Sequence, residues 1–463
     1  MIVALTVKNF KSIREAHVRF GPLTCIIGHN GVGKSNLFDA IHFLSLLAEG
    51  DIYQATVDVR RTSDGSYSPL DLLLGRNPDL SIQLTADMIV PRLVVDDFGQ
   101  EATPATTLLT YNLTLQYAKE SDRLIVANEE LTHAKLGDYR QFIGFETSPN
   151  FRNSVAVGSR RGGPLISTDK VQGRIMLHGD DGSRGRPAPV GRSPRTVVGG
   201  TNTFDYPTVL AAKREMASWR TLHLEPSAMR TPDSRAAVPH VSAFGGHLAA
   251  TLNAITHDSP NVQAEVVNRL RELNSDVSDL SVYADDARDQ LALRAKVPGV
   301  GNWLYARSLS DGTLRYIALA LMLADAHERS VLCIEEPENG IHPSRVPNLV
   351  RLLADYAVDV HEVIDEYNPL RQIVLNTHSP EVARQISIDD LLFAERAKEG
   401  DGTLTSVFRP VEGTWRTTAQ HPKDVWPSRP KDRRAVADFI GGSPLSESMV
   451  AQLRLPLEFG SAR

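Results

Sequence analysis

Gly28-His29-Asn30-Gly31-Val32-Gly33-Lys34-Ser35 lies between two apolar runs. The first, Leu23 to Ile27, is β-prone, and the second, Asn36 to Leu44, carries apolar residues at helical spacing. A strand that turns through three glycines into a helix opening on Lys-Ser is the arrangement that wraps a phosphate chain. The glycines let the backbone curve, so that amides and the helix N-terminus face the anion. Lys34 then reaches the β- and γ-phosphates and the Ser35 hydroxyl is a candidate Mg²⁺ ligand, with Asn30, Gly31, Gly33 and Asn36 completing the lining. A chance glycine turn before a helix is the bland alternative for the loop taken alone, so the rest of the chain decides.

The chain has 463 residues, too many for one ordinary core, so two or three lobes are expected. With 41% hydrophobic and 23% charged residues the composition is that of a soluble globular protein. A net charge of −6 excludes a global basic footprint, so any nucleic-acid contact must be a local patch. Cys25 and Cys333 each fall inside an apolar run that reads as a buried strand. They read as small core residues of a reducing compartment rather than a disulfide or metal site. The opening, Met1 to Lys11, alternates like a strand and lacks the long apolar stretch of a signal peptide. No run approaches membrane-spanning length without charge. The expectation is a cytoplasmic chain with no membrane partner.

Residues 1–50 form a strand, strand, phosphate loop, helix opening, and 51–80 is a mixed stretch with few periodic signals. Alternation returns between 81 and 145 and reads as antiparallel strands with one wet face, so 51–205 is taken as a β-rich insert. Within it, 151–200 is rich in Gly, Arg, Ser and Pro. Nine basic residues (152, 160, 161, 170, 174, 184, 186, 192, 195) stand against three Asp (169, 180, 181), a local charge of +6. A solvated excursion and a DNA-backbone contact are both compatible with that pattern. Residues 206–285 turn helical, with candidate helices opening at Thr208, His247 and Val262. From 286 to 411 the α/β signal resumes, and 412–463 is a Pro- and charge-rich extension with short helical pieces.

The later α/β stretch holds three features that answer the phosphate loop. Val331-Leu-Cys-Ile-Glu-Glu-Pro-Glu338 is an apolar strand that ends in carboxylates. There Glu335 suits the metal side, through a water, and Glu336 suits the polarising of an attacking water. Ile373-Val-Leu-Asn-Thr-His-Ser-Pro380 is another short apolar strand, and it delivers His378 to the strand end where α/β proteins place ligands. Ser308-Leu-Ser-Asp-Gly-Thr-Leu opens a strongly apolar helix, with Ser310 as its N-cap and Gly312 permitting close backbone approach. Alone, His378 reads as a loop residue and Ser310 as a plain cap. Three elements of phosphate chemistry in one chain favour the functional reading.

In this order the elements resemble the ATP-binding-cassette ATPases of the RecF and structural-maintenance-of-chromosomes branch. Within it they look most like the compact bacterial AAA-type ATPases related to the overcoming-lysogenization-defect proteins and to antiphage defence ATPases. The resemblance rests on Val7-Lys-Asn-Phe-Lys-Ser-Ile13, the loop 28–35, Leu224-Glu-Pro226, Leu309 to Arg315, Ile334 to Pro343 and Thr377 to Pro380. It covers roughly residues 1–48 and 205–395.

The resemblance implies an α/β fold, an ATPase head with a mixed sheet built from the two ends of the chain. It implies ATP and Mg²⁺ as cofactors, Ser35 and Glu335 on the metal, and Glu336 and His378 as catalytic residues. It also implies Lys11 and Ser12 near the nucleotide, and a homodimer in which each ATP lies between one phosphate loop and the partner's Ser310 and Gly312. Higher oligomers are compatible with it. The glutamine that the branch uses as a switch is not assignable by motif, and Gln83 is the best-placed candidate on strand pattern. The long coiled coil of the chromosome relatives is missing, and no acidic cluster matches the Toprim nuclease that overcoming-lysogenization-defect proteins append. Two functions are therefore expected: an ATP-gated antiphage sensor with a separate nuclease or toxin effector, or a RecF-like repair ATPase that binds DNA.

Overall fold

A computed structural model describes residues 1–59, 68–158, 162–189, 193–258, 260–273, 277–325, 331–418 and 429–441. The chain opens with β1 (Ile2–Phe10), β2 (Ile13–Arg19) and β3 (Leu23–Ile27), then α1 (Lys34–Glu49). Further along lie β4 (Ser81–Ile89), β5 (Leu108–Ala118), β6 (Arg123–His133), β7 (Ile166–Asp169), β8 (Arg174–His178) and β9 (Arg184–Pro189). Next come α2 (Pro207–Ala217), β10 (Arg220–Leu222), α3 (Pro226–Arg230), α4 (Leu248–Asp258) and α5 (Pro260–Leu273). The hairpin β11 (Asp279–Asp285) and β12 (Gln290–Lys296) precedes α6 (Asp311–Ala324) and β13 (Val331–Glu335). Then come α7 (Val346–Tyr356), β14 (Gln372–Thr377), β15 (Leu391–Lys398) and β16 (Leu404–Pro410).

The sheet that positions the site has the order β10-β13-β14-β3-β15-β16. Its first five strands are parallel and β16 returns antiparallel, so the sheet is mixed. All six residues of β14 are buried, and β3 is buried from Thr24 to Ile27. Strands covered on both faces read as continuous apolar runs, which is how the sequence presents them. Because β3, β13 and β14 are parallel neighbours, their C-terminal ends open on one edge. The phosphate loop, Glu335 and His378 follow those ends in turn.

A second sheet, antiparallel throughout, has the order β9-β8-β7-β6-β5-β4-β1-β2. The strands read as an insert are thus laid directly on the opening hairpin, with Leu84 opposite Val7 and Gln83 opposite Lys8. A buried amide joins the two sheets: Gln372 Nε2 donates to the carbonyls of Ile2 and Gly21, both at 2.8 Å, and its Oε1 accepts from the Ile2 N–H at 2.9 Å. Both ends of the amide are satisfied, so its burial is not opposed by a lost hydrogen bond. The stretch 51–80, which shows little periodicity, holds a seven-residue helix, Ile52–Asp58, capped by the Asp51 carboxylate accepting from the Gln54 N–H at 2.7 Å. Cys25 and Cys333 are buried free thiols.

The C-terminal extension locks onto this frame through Arg416, which is fully buried. Its guanidinium donates to the Arg19 carbonyl and the Thr24 hydroxyl, both at 3.0 Å, and to the Asp389 carbonyl, and it stacks 4.3 Å from the Trp415 ring centroid. Burial draws its pKa down to about 10, so it stays charged at neutral pH. Arg416→Ala takes a buried donor from three oxygens and opens a void under Trp415. The expected result is a loss of about 3 kcal/mol of unfolding free energy in a urea titration. A loss under about 0.5 kcal/mol, the range of ordinary surface changes, would contradict that role.

Candidate functional site

The loop after β3 is held in shape from behind. Gly33 has φ +96°, a left-handed conformation, and any Cβ there would collide with Ser406 Oγ. Ser406 donates to the Val32 carbonyl at 2.7 Å and pairs with Ser12 Oγ at 2.6 Å, while Asn36 Nδ2 donates to Ser12 Oγ at 2.5 Å. Arg396 Nε adds a 3.0 Å bond to the Gly31 carbonyl. Ser12 is therefore a brace for the loop, and Lys11 is ion-paired with Asp39 of α1 at 2.8 Å.

Lys34 opens α1 and folds back over the loop, its Nζ donating to the carbonyls of Gly28 at 2.6 Å and His29 at 2.9 Å. Burial lowers its pKa, and the charges of Glu336, Glu338 and Glu335 oppose that shift. The lysine of the loop and the carboxylates at the end of β13 thus share one electrostatic field.

Glu336 sits just past β13 at φ +44°, with its N–H donating to the Asn376 carbonyl at 3.0 Å. Its Oε1 meets His378 Nδ1 at 2.8 Å and its Oε2 accepts from Asn339 Nδ2 at 2.8 Å. Burial would raise its pKa, but the bonds from Asn339 and His378 outweigh burial and hold the carboxyl below the usual glutamate range. Glu338 differs: burial dominates and raises its pKa, although the Thr377 hydroxyl donates to its Oε1. Glu335 presents a buried Oε1 with no hydrogen-bond partner among the described residues, while its Oε2 lies 3.8 Å from His223 Nδ1. A buried carboxylate oxygen left unpaired beside a phosphate loop suits a hard cation, so the donor set fits Mg²⁺.

Ser310 caps α6, accepting from the Thr313 N–H at 3.2 Å. A Cβ on Gly312 would lie 2.8 Å from the Gly340 carbonyl, so this helix end is pressed against the turn after Glu338. Two arginines to which the sequence assigns no role hold that arrangement. Arg315 donates to the carbonyls of Asn339 and Leu224, and Arg230 donates to the Leu309 carbonyl at 3.1 Å and pairs with Asp311. His223 is likewise without a role at the sequence level, and the resemblance casts Asn339 only within Glu338 to His342, as a segment communicating across the dimer. Arg315 and Asn339 fall inside the quoted motifs but act through tertiary contacts that no spacing encodes.

One chain therefore sets Lys34 in the field of Glu335 and Glu336, joins Glu336 to His378, and places Gly312 against Gly340. Gln83 is not among them: it lies in β4 of the antiparallel sheet, opposite Lys8 and Thr114. Of the basic segment, Arg152, Lys170, Arg174 and Arg195 are exposed, whereas Arg160, Arg161 and Arg192 lie outside the described residues. Among the described residues, no helix is long and apolar enough to cross a membrane.

The family model described as AAA domain, putative AbiEii toxin, Type IV TA system matches residues 114–384, and one described as AAA ATPase domain matches residues 1–132. The chain is similar to the DNA replication and repair protein RecF of Porphyromonas gingivalis, 54% identical over 46 residues, which are 10% of this chain and 13% of that protein. It is also similar to the Old nuclease of Escherichia phage P2, 34% identical over 58 residues, which are 12% of this chain and 10% of that protein. The chain thus spans only 13% and 10% of the lengths of these two curated relatives. A solved SMC head bound to the C-winged helix domain of ScpA has a TM-score of 0.43, with 12% identity over 89% of this chain and 98% of that chain.

Proposed function

The chain belongs to the family described as AAA domain, putative AbiEii toxin, Type IV TA system, within the RecF and SMC branch of ABC-type ATPases, and from that premise we propose that it binds and hydrolyses ATP and uses it to join two copies. The observation that supports this most is the convergence of Lys34 with Glu335, Glu336 and His378 at adjoining parallel strand ends. Loop amides and Lys34 hold the phosphates. Ser35 and Glu335 would hold Mg²⁺, which supplies positive charge against the β- and γ-phosphate oxygens when bound. Glu336, ionised and fixed by Asn339 and His378, orients a water and takes its proton as the new O–P bond forms and the bond to the ADP oxygen breaks. His378 Nδ1 then carries the hydrogen that points at Glu336.

The sandwich extends this reading. In it a second copy's α6, whose N-terminus Ser310 caps, would cover the nucleotide from across the interface. In the finer form of the proposal, the ATP-joined dimer gates a separate nuclease or toxin effector in antiphage defence. The likeness to the Old nuclease and the matched family's description support that form. A DNA-binding repair ATPase is the second reading, favoured by exposed Lys170 and Arg174 at the turn between β7 and β8 of the antiparallel sheet and by the RecF likeness.

Light scattering on Glu336→Gln, with and without Mg-ATP and duplex DNA, tests both. A mass that doubles with ATP is expected. A DNA-shifted species whose formation weakens steeply with salt would favour the repair reading, and a mass indifferent to ATP would refute the sandwich.

A further inference from the structure

We infer that His223 is a protein ligand of the nucleotide's divalent cation, acting beside Glu335 and Ser35; this rests on the ATPase reading above. β10 runs parallel to β13 with Arg220, Thr221 and Leu222 opposite Leu332, Cys333 and Ile334. One residue further along, that register sets His223 abreast of Glu335 at the ends of both strands. α1, which carries Ser35 in its first turn, packs on β10.

His223 is held as a positioned group, not as a loop side chain free to turn. Its N–H donates to the Ala243 carbonyl at 2.8 Å, and its ring lies 6.3 Å from the Phe244 ring at 29°, a stacked arrangement. The side chain is 42% exposed and lines a cleft of about 210 Å³ that Glu335, Glu336, Arg315 and Asn339 also line. The 3.8 Å from His223 Nδ1 to Glu335 Oε2 is too long for a hydrogen bond. Adjacent donors on an octahedral ion, each about 2.1 Å from it, lie about 3 Å apart, so the two side chains need to close by only about 0.8 Å to share one ion. Glu335 Oε1, buried and without a hydrogen-bond partner among the described residues, supplies an independent sign that the carboxylate is aimed at a cation.

An imidazole in this set has a consequence for metal choice. Hydroxyl and carboxylate donors alone suit Mg²⁺, whereas an added nitrogen favours metals further along the Irving–Williams order, Mn²⁺ first among those that also accept oxygen donors. The chain should therefore prefer Mn²⁺ to Mg²⁺ as its nucleotide partner.

The test uses Mn²⁺ with ATP on the full chain, read by electron spin-echo envelope modulation. A directly coordinated ¹⁴N signal is expected in wild type. It should vanish in His223→Ala, persist in His378→Ala, and be accompanied in His223→Gln by about a tenfold loss of the Mn²⁺ over Mg²⁺ preference in ATP binding. ATP-dependent Mn²⁺ binding without a ¹⁴N signal, or a signal that survives His223→Ala, overturns the assignment and leaves the ATPase reading standing. Absence of any ATP-dependent Mn²⁺ binding overturns both.

Discussion

Glu336→Gln is expected to bind Mg-ATP about as well as wild type and to turn it over at least about 100-fold more slowly. The substitution keeps the shape of a side chain whose surroundings are fully specified. Asn339 donates to one carboxylate oxygen, His378 faces the other, and the backbone at φ +44° is tied to the Asn376 carbonyl. What glutamine lacks is the basic oxygen that takes the proton of the attacking water. Two bonded donors hold the Glu336 carboxyl below the usual range, so it is ionised and ready throughout the physiological range. The same change at Glu335 should act differently, raising the metal concentration needed for half-maximal activity while leaving the maximal rate closer to wild type. Single-turnover phosphate release beside calorimetric ATP binding separates the two. A Glu336→Gln enzyme within tenfold of wild type would remove that residue from the chemistry.

Glu336, Glu335 and His378 were legible before any coordinates because they follow short, uninterrupted apolar runs. A strand buried on both faces must be such a run, and in a parallel sheet its C-terminal end is where ligands meet the protein. The antiparallel sheet was legible only as alternation. Alternation tells which face of β4 is wet, but it does not name the neighbour, and the neighbour proved to be β1. The helix Ile52–Asp58 stayed hidden because seven residues give fewer than two turns of periodicity, with only the Asp51 cap as a cue. Arg416 was hidden for a different reason. An arginine in a Pro- and charge-rich tail reads as solvated, and only the two carbonyls and the hydroxyl waiting in the frame make its burial favourable. His223 and Arg315 belong with it, since their roles arise where β10 and α6 meet β13 and no single segment encodes that meeting.

Lys34→Met is expected to weaken ATP binding by about 100-fold or more while leaving the free protein's unfolding free energy within about 1 kcal/mol of wild type. The two effects have separate causes. In the free chain Lys34 is only 6% exposed, and burial lowers its pKa against the pull of three nearby carboxylates. A methionine of similar length removes a buried charge together with the desolvation it suffers. The His29 carbonyl is exposed, so water can replace its lost donor, and only the buried Gly28 carbonyl bears a cost, which the relief of lysine desolvation offsets. ATP changes the balance, because it brings several negative charges to a lysine that already lies in the field of Glu335, Glu336 and Glu338. Without the lysine, phosphate and carboxylate repel at close range, and one charge-assisted bond of about 3 kcal/mol corresponds to roughly 100-fold in affinity. Calorimetric titration with ATP and a urea titration of the same variant read the two quantities separately. Affinity and stability falling together would mark Lys34 as a structural strut, whereas affinity falling alone marks it as the cation that makes an acidic cleft accept a polyphosphate.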